Sequence, residues 1–131
     1  MVFYPEDYKF GSEEEKRIHP SLIAYFKREI RLKGGMSKHD YEDDEYNYEV
    51  KSRKNTYSKY PTTMITENKI CGEKKLILLF NFLDGLYYIE YDKEKFDKYE
   101  RQLFSRAGFD WDRKSHIYIP IKDLTPLPLV Q

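Results

Sequence analysis

The chain has 131 residues, 40% hydrophobic and 35% charged, enough for one domain with one core and a wet surface. Its 23 basic and 23 acidic residues cancel, which argues against tight, non-specific nucleic-acid binding through many phosphates and leaves only a local basic patch at Lys51, Arg53, Lys54 and Lys59. The single cysteine, Cys71, excludes an internal disulfide; with no signal-like segment and no long apolar run, an intracellular protein (cytoplasmic or nuclear) away from membranes is expected.

In chain order, residues 1–11 read as an extended lead-in punctuated by Pro5 and Gly11, so the core is expected over about 12–124 of a single domain. Ser12 to Glu15 is S-x-x-E, a capping box that starts a helix. Pro20 interrupts or restarts it. From Pro20 to Lys33 the stripe Leu22, Ile23, Phe26 and Ile30 predicts a helix, ended by Gly34-Gly35. Glu29 borders that stripe, either as a surface acid or as a carboxylate facing a site. Lys38 to Arg53 then reads as two short strands around an acidic turn.

Lys54 to Pro61 is polar and Tyr-rich, an exposed loop. Its Tyr57 and Tyr60 alternate with cations, a pattern that stacks on bases, although a plain mobile loop fits as well. Thr62 to Ile65 predicts a short strand. Lys75 to Phe82, KLILLFNF, predicts a strand buried on both faces. Leu83-Asp84-Gly85 is a turn, and Leu86 to Tyr91 the return strand. Phe96, Tyr99, Leu103 and Phe104 predict a second helix from Asp92, which can cap it. Ala107 to Ser115 is a loop carrying Trp111, His116 to Ile121 a last strand, and the tail with Pro126 and Pro128 irregular. The expected fold is α/β or α+β: a central mixed β-sheet of about five strands flanked by two main helices.

Candidate chemistry concentrates in the first hairpin. Glu49, Lys51 and Arg53 alternate onto one face; Tyr46, Tyr48, Val50 and Ser52 take the other. A two-residue loop at Asp44-Glu45 sets Asp40 opposite Glu49, although a one-residue slip would turn Asp40 away. Two carboxylates and a lysine in one patch can hold a divalent metal and activate water. The same pattern also describes the wet face of an amphipathic hairpin. Lys69 can reach this patch from the element after the loop, and Arg53 serves either as a phosphate contact or as charge balance. His19, His39, His116 and Cys71 lack zinc-site spacing, no glycine-rich loop followed by G-K-[ST] is present, and no G-x-S-x-G appears.

The layout, with Asp40 on one strand and Glu49-Val50-Lys51 on the next, resembles the PD-(D/E)XK nuclease superfamily of restriction endonucleases and Holliday-junction resolvases. E-x-K occurs four times in the chain, but only at 49–51 does it fall on a strand beside an Asp-bearing partner. His39 stands where that family often has Pro. The resemblance implies a restriction-endonuclease-like fold and a magnesium-dependent endonuclease, a hydrolase of DNA phosphodiester bonds. It implies Mg²⁺ or Mn²⁺ on Asp40 and Glu49, and Lys51 as the catalytic cation beside the water. Glu29, or one of Glu13 to Glu15, would be the helix acid, with Arg53 and Lys69 in support. Its implied partner is DNA, branched or otherwise structured, with a homodimer as one arrangement. YEVKSRKN, YPTT and DGLYYIEY also look like small nuclease-like proteins of phages and large DNA viruses. The alternative is a catalytically inactive protein of the same fold, acting as a nucleic-acid-binding or viral assembly subunit.

Overall fold

The computed structural model describes residues 5–34, 37–104 and 114–130. The elements in order are helix α1 (Pro5–Phe26), β1 (Arg31–Leu32), β2 (Tyr41–Glu42), β3 (Tyr46–Ser52), β4 (Thr62–Thr66), β5 (Lys75–Phe82), β6 (Gly85–Glu90), helix α2 (Lys93–Phe96), β7 (Glu100–Phe104), β8 (Lys114–Pro120) and β9 (Thr125–Leu127). The strands form two sheets, not one of about five strands: a six-stranded sheet in the order β1-β2-β3-β5-β6-β9, and a three-stranded sheet in the order β4-β8-β7. In the larger sheet β3 and β5 run parallel while the neighbouring pairs are antiparallel, so a mixed sheet is present as expected.

β5 organises both cores. Ile77 and Leu79 share the face of Tyr48 and Val50 and pack with Ile18 and Leu22 of α1. Leu78 and Phe80 take the opposite face and pack with Ile65, Ile117 and Ile119 of the smaller sheet. Leu78, Leu79 and Phe80 are fully buried. Each such side chain contributes about 1.5–3 kcal/mol through burial, which explains why the segment carries almost no polar residue.

Several expected boundaries move. Residues 5–11 belong to α1 and are not an extended lead-in, so Ser12 lies inside the helix and does not cap it. Pro20 also lies inside α1; the removed N–H bond is tolerated where Ile18 and Leu22 on either side are both fully buried. The helix stops at Phe26, not Lys33, because Lys27 turns left-handed with φ 56° and its N–H bonds to the Ile23 carbonyl at 2.9 Å. Gly34 therefore follows a strand and ends no helix.

The second helix is one turn, Lys93–Phe96, and Asp92 makes no side-chain cap bond. Glu100–Phe104 is instead a strand on β8: Phe96 is fully buried, whereas Leu103 and Phe104 are exposed, so the helical spacing spans two different environments. The tail is not wholly irregular, since Thr125–Leu127 pairs with β6. Most of the expected loop at 107–115, with Trp111, lies outside the described residues.

The first hairpin takes the expected register, with Tyr41 opposite Tyr48 and Glu42 opposite Asn47. Asp43 fixes the turn. Its Oδ1 accepts the backbone N–H of Glu45 and of Tyr46, both at 2.8 Å, while its Oδ2 accepts from Arg28 Nε at 2.7 Å and from the Tyr48 hydroxyl. Burial by itself would raise the Asp43 pKa; these donors outweigh it and hold the carboxyl down at about 2. Because that value lies below the ordinary 3.8, the stability Asp43 contributes is present above pH 3.8 and is lost as pH falls through about 2. Asp43→Ala is expected to cost about 2–4 kcal/mol in urea unfolding at pH 7, since four donors lose a buried acceptor. A cost below about 0.5 kcal/mol would show that the turn holds without it.

Candidate active site

The β2–β3 ladder ends at the Tyr41–Tyr48 pair, and Asp40 continues along the edge of β3. The Asp40 N–H still bonds to the Tyr48 carbonyl at 3.0 Å, and Asp40 Oδ2 accepts the Val50 N–H at 2.8 Å. Backbone bonds thus fix Asp40 directly beside Glu49-Val50-Lys51. Tyr41, next in the chain and on the other face, is fully buried and donates its hydroxyl to the backbone carbonyl of Glu15. Consecutive residues therefore supply an acid and tie the helix to it.

Glu15 is the helix acid of the cluster. Its carboxyl lies close enough to those of Asp40 and Glu49 and to Lys51 to feel their charge. Burial, then the proximity of Asp40, pushes its pKa up. Glu29 does not fill this role: with α1 ended at Phe26, it lies beyond the helix and is exposed to solvent.

Glu49 is the most buried of the acids, with its side chain 2% exposed. Its Oε2 lies 3.4 Å from Lys51 Nζ and 3.5 Å from Lys69 Nζ. Its Oε1 is buried with no hydrogen-bond partner. Burial, then the charge of Asp40, pushes its pKa up to about 7, against the opposing pull of Lys51 and Lys69. Three carboxylates face two ammonium groups, so the cluster carries surplus negative charge unless protonated or joined by a cation.

Lys69 reaches Glu49 because its segment is pinned at both ends. Its carbonyl accepts from His39 Nε2 at 2.8 Å, and its Nζ donates to the Lys38 carbonyl at 2.9 Å. That bond assigns the proton to His39 Nε2, and burial lowers the pKa of the ring, favouring the neutral form. Arg53, two residues beyond Lys51, does not join the cluster. Its Nε donates to Thr63 Oγ1 at 3.3 Å, an NH₂ group donates to the Met64 carbonyl, and the guanidinium lies 5.8 Å from the Phe80 ring.

The structure brings together Asp40, Glu49, Lys51 and Lys69, places Glu15 of the expected Glu13 to Glu15 beside them, and leaves Glu29 and Arg53 outside. The positioning roles of Tyr41 and His39 carried no signal in residue spacing, because each acts through a contact distant in sequence. Among the described residues no three His, Cys, Asp or Glu side chains are arranged to hold a metal by themselves. Two carboxylates suit Mg²⁺ nonetheless, because that ion retains waters and takes substrate oxygens. The unpartnered buried Oε1 of Glu49 is the atom such an ion would satisfy. Among the described residues no helix is long and apolar enough to cross a membrane. No protein-family model matches the chain, and no curated protein or solved structure is significantly similar to it.

Proposed function

We propose that the chain is a divalent-metal-dependent nuclease that hydrolyses DNA phosphodiester bonds at the Asp40–Glu49–Lys51 cluster. One observation carries this reading: a buried carboxylate, Glu49, holds one oxygen on two lysines and leaves the other without a partner, beside a second carboxylate on a paired edge. Buried carboxylate oxygens are as a rule hydrogen-bonded, and a cation is one partner that would satisfy this one. Asp40 and Glu49 would hold Mg²⁺ or Mn²⁺. Bound there, the ion supplies neutralisation of phosphate charge and acidification of water.

The chain's own residues do the rest. Lys51 and Lys69 are donors that turn from Glu49 to the phosphate oxygens as charge accumulates on them. Water oxygen forms the new bond to phosphorus and releases a proton to solvent, the bridging P–O ester bond breaks, and the leaving oxygen takes up a proton. Glu15, kept protonated near neutral pH by burial and Asp40, can hold or return that proton. His39 and Tyr41 keep Lys69 and Glu15 in place.

The test is cleavage of plasmid and branched DNA with Mg²⁺ and, separately, Mn²⁺, beside Asp40→Asn. The expected result is metal-dependent cleavage by the wild type and a loss of about 10²-fold or more in the variant. Absence of cleavage by a folded wild type on both substrates would overturn the reading. A second reading, a catalytically silent nucleic-acid-binding protein, is favoured by the mutual pairing of Lys51 and Lys69 with Glu49, which already offsets part of the charge. On that reading Asp40→Asn leaves DNA binding unchanged.

A further inference from the structure

Arg53 is a cation in an unusual setting. Among the described residues its side chain contacts neutral groups: a threonine hydroxyl, a backbone carbonyl and the face of Phe80. Among the described residues no carboxylate pairs with it. Burial alone depresses its pKa, with no opposing acid to raise it. Arg53 is half-buried at the mouth of a cleft and has no counterion there, so an anion entering the cleft would find a charge partner in it.

Arg53 also lines a cleft of about 420 Å³ between the end of β3 and the start of β4. Tyr57, Tyr60, Met64, Phe82 and Tyr118 make its wall mostly apolar. That volume lies in the range of small-ligand sites. The wall is built, not loose. The Tyr57 ring stacks on Tyr87 at 4.1 Å and 8°, its hydroxyl donates to the Ile121 carbonyl at 2.8 Å, and its N–H bonds to Asp84 at 2.8 Å. Tyr60 differs: it is 53% exposed, and the ammonium of Lys59 lies 5.5 Å from its ring. An aromatic face offered to solvent, a cation beside it and an anion-seeking arginine behind it match the needs of one nucleotide: a ring to stack on the base and a charge for the phosphate.

Glu49, Lys51 and Arg53 stand two apart along one face of the β3 segment. Each step is about 6.6 Å of extended chain, so the cleft begins one step beyond the lysine of the candidate active site. A base inside a duplex is stacked and paired and cannot enter such a cleft without being turned out.

We infer that this cleft binds the unstacked base of a single DNA strand, with Arg53 on that nucleotide's phosphate, so that the substrate is single-stranded, frayed or branched. Placing this nucleotide next to the cut phosphate rests on the nuclease reading; the binding itself does not.

The test is fluorescence anisotropy in EDTA, so that neither hydrolysis nor metal enters. The probes are a labelled 12-mer of thymidine, the same strand with abasic nucleotides, and a duplex of equal length. The wild type is expected to prefer the thymidine strand over both others. Tyr60→Ala is expected to weaken thymidine-strand binding about 5- to 100-fold and to abolish the preference over the abasic strand. Tyr60→Trp restores it. Arg53→Gln weakens thymidine and abasic strands alike and flattens the salt dependence. Because Tyr60 is half exposed, its variants keep the test valid even if Arg53→Gln fails to fold. Equal or tighter binding of the duplex, or an unchanged affinity in Tyr60→Ala, would overturn the inference. Single-strand preference in a protein that cuts nothing would retain the cleft and discard the nuclease reading. Cleavage without that preference would do the reverse.

Discussion

Lys51→Ala is expected to lower DNA cleavage about 10²- to 10³-fold, the usual cost of removing one preorganised donor from a site where charge develops. The fold should survive, because Lys51 is one-third exposed and makes its ion pair with a residue that Lys69 also approaches. The loss should appear in kcat with little change in substrate affinity, since Lys51 pairs with Glu49 in the resting protein and engages the phosphate as charge builds. Removing Lys51 also removes one of the two cations that pull the Glu49 pKa down, so the pH profile of any residual activity should move to higher pH. Lys69→Ala tests the division of labour: a smaller loss is expected, because its Nζ is also held by the Lys38 carbonyl. Unchanged cleavage in Lys51→Ala would place the chemistry elsewhere.

Glu49→Gln is expected to raise stability at pH 8 while abolishing activity. The folded carboxyl titrates at about 7, against an ordinary value of 4.5. A raised pKa means that the folded protein retains a proton the unfolded chain has lost. Stability from this group is therefore complete below pH 4.5 and lost as pH rises through about 7. A difference of 7 − 4.5 = 2.5 pH units corresponds to about 3 kcal/mol at alkaline pH, and the lost ion pairs with Lys51 and Lys69 offset part of it. Urea unfolding should therefore give a gain of about 1–3 kcal/mol for the glutamine variant at pH 8 and little difference at pH 5. A variant less stable than wild type at pH 8 would mean that the pairing with Lys51 and Lys69 outweighs the cost of burying the charge.

Where local chemistry decided the structure, the sequence was readable. KLILLFNF forms the doubly buried strand because no other environment suits seven buried residues in a row. The hairpin register followed from alternation, and Asp43 supplied the turn that neither Asn-Gly nor Asp-Gly did. That Asp40 would lie beside Glu49 and Lys51 was legible for the same reason. Where distant contacts decided, it was not. Gly11 and Pro20 read as breaks, yet α1 runs through both under the pull of the buried face around Ile18 and Leu22. Of the two expected places for a helix acid, Glu29 or one of Glu13 to Glu15, the end of α1 at Phe26 leaves only the second on the helix. Phe96 to Phe104 kept a helical spacing although the chain leaves the core at Tyr99 and pairs with β8. The restriction-endonuclease resemblance rests on residues and order, and the second sheet of β4, β8 and β7 was invisible as a unit because its strands lie far apart in sequence.

The account depends most on whether the Asp40–Glu49 pair captures a divalent cation. Calorimetric titration of Mn²⁺ and Mg²⁺ into the wild type, Asp40→Asn and Glu49→Gln at pH 7 addresses that directly. Binding at one site per chain is predicted for the wild type, with proton release as Glu49 loses its proton to the incoming charge, and affinity should fall at least tenfold in either variant. Equal binding by all three proteins, or none by a folded wild type, would contradict it.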